Sequence, residues 1–279
     1  MEAAAYALPG DLVGKVWAKR TAEDVRRLQR FYEDVADRGL PFSCPLLLHV
    51  HEMDGVVVSI ERRLPGVPFS SDSRSGEVAG IERLIEVLEA LRSVDVPSAA
   101  GLPVLDEPQP PWAPERSFEE GLVALLDRRI ERFGEQLRRS VDQFDEKVLA
   151  IKERLGRSAS RERCLLHGDL GGGNLLVDEH FAVVSVLDFG FLSVSGDPRF
   201  DASITSGVFD MWSSRAQLRQ HQFDVLLERR LGYDREVLLT LRAAYAIVIA
   251  NAYDADGQDG QFWWSSTFLN RPDVHDLLL

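Results

Sequence analysis

Residues Cys164 to Ser203 read CLLHGDLGGGNLLVDEHFAVVSVLDFGFLSVSGDPRFDAS, and this stretch decides the fold. A short apolar run, Cys164 to Leu166, delivers His167 and Asp169 into a loop holding Gly171 to Gly173. Asn174 follows, and a second apolar run, Leu175 to Val177, ends in an Asp-Glu-His turn. Val183 to Leu187 then lead to Asp188-Phe189-Gly190. The pattern is strand, loop, strand, turn, strand. It sets one carboxylate in the first loop, an amide five residues on, and a second carboxylate at the end of the third strand. Hard oxygen donors on rigid strand ends suit Mg²⁺, which takes one or two protein carboxylates and completes its shell with water and phosphate oxygens. The bland alternative is a tight hairpin whose glycines make turns and whose aspartates cap them.

The run HGDLGGGN followed by LDFG resembles the catalytic and metal-binding loops of the protein-kinase-like fold. The trailing GDPRFD, Gly196 to Asp201, resembles the small-molecule branch of that fold, the aminoglycoside phosphotransferase family. A long activation segment ending in Ala-Pro-Glu, as a protein kinase would carry, is not found. The resemblance implies an α+β, two-lobe chain with a small antiparallel-sheet N-terminal lobe and a larger, mainly helical C-terminal lobe. It implies ATP, with GTP as the alternative, and Mg²⁺. It also assigns roles: Asp169 catalytic, Asn174 and Asp188 as metal ligands, and His167 and Asp201 as structural support.

At 279 residues with 45% hydrophobic content, the chain can bury a substantial core as one large domain or two lobes. The longest apolar stretch, Leu238 to Ala250, is interrupted by Arg242 and is too short for a membrane span. Two cysteines, Cys44 and Cys164, do not make a disulfide framework, and no export signal is visible; the cytoplasm is the expected compartment. A formal charge of −13 disfavours nucleic acid and anionic membranes as partners. Residues 1 to 66 are nearly neutral at −1, so the remainder carries −12. That asymmetry suits a nucleotide on one side and a cationic acceptor on the other, or simply confers solubility.

Ala3 to Leu8 and Leu12 to Ala18 form a hairpin around Pro9-Gly10-Asp11. Lys15 shares a face with Val13 and Trp17. By the resemblance, Lys15 grips the α- and β-phosphates and Val13 touches the base; Lys19 is the weaker candidate. Thr21 caps a helix with Asp24 in the reciprocal position and Gly39 as its stop. This helix would supply the lysine's glutamate in relatives, yet Leu28 or Gln29 stands there, with Glu23 and Glu33 near its ends. Leu46 to Met53 and Val56 to Ile60 form a second hairpin around Asp54-Gly55. His49 and His51 on its first strand are a conceivable metal pair, though more in keeping with ordinary strand histidines. Glu61, Arg62 and Arg63 open the run to Gly66 that resembles the hinge, whose backbone would bind the base edge. The boundary therefore falls at 61–66, between a nucleotide-binding lobe (1–66) and a catalytic, acceptor-binding lobe (67–279). Only fourteen residues precede Lys15, and no glycine-rich phosphate loop is recognisable; the N-terminal lobe reads as truncated.

Helices are expected over Gly76 to Arg92, over Phe118 to Leu155 with a break near Ser140, over Phe223 to Leu231 before Gly232, and over Glu236 to Tyr253. The last is apolar nearly all round. Beyond it Asp254, Asp256, Asp259, Trp263 and Trp264 form a candidate acceptor pocket, offering charge and ring faces to a cationic ligand. The alternative is an acidic loop ahead of a core helix. The expected reaction is ATP-dependent phosphorylation of a hydroxyl on a small cationic molecule such as an aminoglycoside. A choline, homoserine or sugar kinase on the same fold, and a degenerate nucleotide-binding module, are the rivals. The acceptor, the ATP or GTP preference and the oligomeric state are not encoded legibly.

Overall fold

The computed structural model describes residues 3–69, 76–107, 109–112 and 116–279. The chain divides into two compact units, residues 1–104 with 164–195, and residues 105–163 with 196–279. The division does not follow the hinge at 61–66, because the strands of the motif region are bonded to Ser43, well ahead of it, and to Pro65 within it. Ser43 donates its N–H to Val184 O at 2.9 Å and accepts from Val186 N–H at 2.9 Å. Ser185 Oγ also donates to Pro65 O at 2.8 Å.

In the first unit, β1 (Ala3–Leu8) and β2 (Leu12–Trp17) make the expected hairpin, with Gly10 and Asp11 at positive φ in the turn. Helix α1 (Ala22–Ala36) begins at the Thr21–Asp24 capping box and buries Val25, Leu28, Phe31, Tyr32 and Val35. β3 (Leu47–Met53) and β4 (Val56–Arg62) turn at Asp54 and Gly55, whose φ values of 52° and 76° are those of a type I′ hairpin. The sheet order is β1-β2-β4-β3. β5 (Val67–Pro68) pairs with a later strand, and α2 (Gly76–Arg92) buries Ile81, Leu84, Ile85, Leu88 and Leu91. The motif supplies β6 (Cys164–Leu166), β7 (Leu175–Val177), β8 (Val183–Val186) and β9 (Val194–Gly196), in sheets ordered β5-β7-β8 and β6-β9. The two cysteines are free thiols, with Cys164 buried in β6.

The second unit is helical. α3 (Phe118–Ser140) and α4 (Phe144–Arg157) replace the single long stretch, broken where expected, and α3 starts at a Ser117–Glu120 capping box. α5 (Pro198–Val208), α6 (Ala216–Leu231), α7 (Arg235–Ile249), α8 (Gly260–Leu269) and α9 (Pro272–Leu278) follow. α6 begins seven residues earlier than its apolar pattern suggests and stops at Gly232, φ 72°. α7 is the core of the unit. Arg242, midway along it, is fully buried, with Nη2 on Asp224 Oδ1 at 2.8 Å and Nε on Ser203 O at 2.7 Å. Paired and hydrogen-bonded, the guanidinium is tolerated in an apolar interior where a lone charge would not be. No helix among the described residues is long and apolar enough to cross a membrane.

Candidate active site

Strand alternation builds the site. Residues directly opposite on antiparallel strands share a face, and the β2–β4 register sets Lys15 opposite Ser59, Val13 opposite Glu61 and Trp17 opposite Val57. Val13, Lys15, Trp17, Ser59 and Glu61 therefore project to one side. Trp17 Nε1 donates to Ser59 Oγ at 2.9 Å and closes one end of that face. Lys15 Nζ lies 3.1 Å from Glu61 Oε1 and 3.3 Å from Asp188 Oδ1. Burial opposes the Lys15 charge, but the two carboxylates outweigh it and hold the ammonium above its ordinary range. For Glu61 burial dominates and pushes the carboxyl up; Lys15 opposes this and the Asp188 charge adds to it. Lys19, past the end of β2, is exposed.

The lysine's partner thus comes from the sheet, not from α1. Gln29 Nε2 donates to Leu47 O at 2.9 Å and Leu28 is buried. Glu23 pairs with Arg27 and Arg30, and Glu33 is exposed. α1 instead packs Phe31 and Tyr32 against Phe189, and Tyr32 Oη donates to Phe189 O at 3.2 Å.

The same register places the expected hinge residues 61–63. Glu61 has register partners on both sides, Val13 and Leu47, Arg62 ends β4 opposite Leu12, and Arg63 N–H donates to Asp11 O at 2.8 Å. Their place in the ladder makes these three residues sheet rather than connector.

A run of hydrogen bonds draws the motif residues together. Asn174 Nδ2 donates to Asp169 O at 2.8 Å, and Leu187 N–H donates to Asn174 O at 2.8 Å. His167 Nε2 meets Leu187 O at 2.7 Å, while its Nδ1 accepts from Asp169 N–H at 3.2 Å. The imidazole therefore carries its proton on Nε2. Complete burial lowers its pKa to about 4, so it is a neutral brace between the first loop and the residue before Asp188. Ser193 Oγ donates to His167 O at 2.6 Å and accepts from Gly190 N–H at 2.8 Å, fastening the following turn. Gly168, φ 80°, lies so close to the Leu192 backbone that a Cβ would come within 2.3 Å of it. Asp169 is half-buried, and Asp188 is 65% exposed at its side chain, in the left-handed region at φ 54°.

This donor set fits a hard divalent cation. Asp188 offers carboxylate oxygens, and Asn174, its Nδ2 spent on Asp169 O, offers an amide oxygen. Among the described residues no group of three or more His, Cys, Asp or Glu forms a metal cage, so phosphate and water oxygens would have to complete the shell. His49 and His51 are exposed on β3. Asp201 is 2% exposed in the first turn of α5, behind the Asp197 N-cap that also binds Arg199.

The acceptor-pocket grouping is the larger correction. Trp264 is buried, stacked on Phe268 at 5.6 Å and edge-on to Tyr245 at 6.3 Å, whereas Trp263 is 59% exposed. Consecutive helical residues point about 100° apart, so two adjacent indoles cannot line one wall. The Asp254 carboxylate accepts from Asp256 and Gln258 N–H, and Asp259 caps α8 by accepting from Phe262 N–H. Asp256 is exposed. Two surface aromatics near this turn escape sequence reasoning: Tyr253, 60% exposed beside Asp254, and Trp212, 64% exposed, whose ring a Cβ added at Gly260 would meet at 3.0 Å.

A lysine on a small antiparallel sheet, bridged to an Asp-Phe-Gly carboxylate beside an Asp169–Asn174 loop, defines a protein-kinase-like fold of the phosphoryl-transfer class. The profile of the phosphotransferase enzyme family (APH) matches residues 4–238, and the chain belongs to that family. Its fold is that of aminoglycoside phosphotransferases. A thermostable mutant of aminoglycoside phosphotransferase APH(4)-Ia, in ternary complex with ADP and hygromycin B, is similar with TM-score 0.70 and 17% identity, over 98% of this chain and 88% of that one. The GDP and kanamycin complex of APH(2")-IIia gives 0.65 and 16%, over 96% and 89%. APH(3'')-Id from Streptomyces rimosus ATCC10970, in complex with ADP and streptomycin, gives 0.56 and 16%, over 89% and 92%. No curated protein sequence matches the chain.

Proposed function

We propose that this phosphotransferase moves the γ-phosphoryl group of ATP to a hydroxyl of a small, cationic molecule. The observation that carries the reading is the run of hydrogen bonds from Asp169 through Asn174 to Leu187, whose chain neighbour Asp188 bonds to Lys15. In the reaction the acceptor oxygen bonds to the γ-phosphorus as the bond to the β,γ-bridging oxygen breaks, and ADP leaves. Asp169 orients the acceptor hydroxyl and takes its proton; the loose transition state makes positioning its main task. Lys15 neutralises the α- and β-phosphates. Asn174 and Asp188 would hold Mg²⁺, which would supply positive charge to offset that of the phosphates. His167 supports the loop without touching substrate, and Asp201 keeps a structural rather than a substrate-binding role.

We assign nucleotide grip to residues 1–66 and phosphoryl transfer with acceptor binding to residues 67–279, and place the reaction in the cytoplasm. A cationic acceptor is supported by the −13 net charge and by the aminoglycosides bound in the similar structures. Exposed Asp256 and Trp263 are the acceptor-facing candidates that remain from the sequence. ADP release across a panel of aminoglycosides, choline, homoserine and sugars tests the reading. Turnover of a cationic member, lost in Asp169→Ala while nucleotide binding is kept, is the expected result. Asp169→Ala activity near that of the parent removes the role assignment.

A further inference from the structure

The Lys15 face of the sheet carries one group that phosphate chemistry leaves unused. Glu61 is 8% exposed, its Oε1 is taken by Lys15, and its Oε2 is buried with no hydrogen-bond partner among the described residues. A buried carboxylate oxygen without a donor is costly, so the position calls for an N–H or O–H that the described residues do not supply. What would arrive there follows from the strand. Triphosphate oxygens seek Lys15, and the flat apolar part of a nucleotide must then lie along the same face in one of two directions. Towards Trp17 the face is closed, because the indole is 8% exposed and bonded to Ser59. Towards Val13, two residues and about 7 Å along β2, it is only half-buried. Val13 stands directly opposite Glu61. A base resting on the Val13 methyls therefore brings its edge to Oε2.

We infer that Glu61 reads the nucleobase: Oε1 fixes Lys15, and Oε2 accepts a hydrogen bond from an N–H on the base edge, selecting bases that present a donor there. Resting on the proposed function, this assigns specificity to a side chain, at a position where the backbone of residues 61–63 is built into the sheet. A carboxylate can only accept, so a base lacking any N–H leaves a buried charged oxygen unpaired. Such mismatches discriminate strongly, since the penalty falls on the enzyme's own group. Adenine supplies its 6-amino group, and guanine its N1–H and 2-amino group. Both share the required chemistry, whereas purine riboside triphosphate has the same size, stacking face and charge but no base N–H.

The test compares kcat/KM for ATP, GTP and purine riboside triphosphate in the parent and in Glu61→Leu, with dissociation constants for the free nucleosides as a second readout independent of Lys15. The parent is expected to favour ATP or GTP over purine riboside triphosphate by about tenfold or more, and the favoured one of the two names the donor. Glu61→Leu is expected to bring that ratio within about twofold, whatever it does to overall activity. A merely structural Glu61 would lower all three substrates together and keep the ratio. The inference is overturned if the parent's ratio is within twofold, or if the variant retains the parent's discrimination. The parent measurement stands alone should the variant not fold. Turnover without base discrimination removes this inference and leaves the proposed function; no binding of any nucleotide removes both.

Discussion

Lys15 and Glu61 sit on one face of the N-terminal sheet, one position apart diagonally across β2 and β4, with 3.1 Å between Nζ and Oε1. The diagonal follows from register, since Lys15 opposes Ser59 and Glu61 is the next residue on that side of β4. An acid on the same rigid sheet fixes the lysine whether or not α1 shifts.

Nucleotide affinity is accordingly expected to ignore the acids of α1. Glu23→Ala and Glu33→Ala should change the nucleotide KM by less than about twofold, being exposed substitutions away from the site. Lys15→Ala should raise it roughly tenfold to hundredfold, the usual range for losing a charge-assisted contact. Steady-state kinetics with varied ATP separates the two cases, and a large Glu23 or Glu33 effect would mean α1 supplies the partner after all.

Acid sensitivity should trace to His167. Its pKa is depressed from 6.5 to about 4 by burial, so below 6.5 the unfolded chain takes up a proton that the folded chain refuses. Stability is then fully present above about pH 6.5 and falls as pH drops towards 4, by at most about 3 kcal/mol. Urea unfolding at pH 7, 6 and 5 measures it. His167→Gln should flatten the slope in this window, while Asp106 and Asp273, whose partners Arg129 and Arg271 depress their pKa values against the cost of burial, act below it. An unchanged slope in the variant would assign the sensitivity elsewhere.

Gly168 is the backbone position least able to change. Its φ of 80° and the Leu192 backbone 2.3 Å from a built Cβ mean that Gly168→Ala meets main chain rather than a movable side chain. A loss of at least about 2 kcal/mol is expected, from strained φ and overpacking together. A thermal melt within 1 °C of the parent, to about the precision of such a comparison, would contradict the close approach.

The two adjacent tryptophans should behave oppositely. Trp264→Ala empties a core site and should cost about 3–5 kcal/mol. Trp263→Ala should leave stability within about 0.5 kcal/mol and act on acceptor KM. Parallel denaturation and acceptor titrations would expose the reverse assignment if it holds.

Much of this is legible in the sequence itself. The capping box at Thr21, the Asp54-Gly55 turn and the motif strands depend on local pattern, and local pattern survives folding. What escaped needed pairing across elements. Glu61 read as the start of a connector because it follows Ile60, yet extending the alternation Val57, Ser59, Glu61 by one step would have put it on the Lys15 face. Trp263 and Trp264 looked like a pair because adjacency in sequence was read as adjacency in space, which a helix forbids. Trp212 was invisible, lying forty-eight residues from the Gly260 it touches.

The central claim is that Asp169, Asn174 and Asp188 serve one magnesium-bound triphosphate gripped by Lys15. Calorimetric binding of a non-hydrolysable ATP analogue, with Mg²⁺ and with EDTA, to the parent and to Asp188→Ala tests it most directly. Tight binding that needs Mg²⁺ in the parent and weakens at least about tenfold in Asp188→Ala is the result predicted. Equal affinity in EDTA, or an Asp188→Ala protein that binds as the parent does, would contradict it.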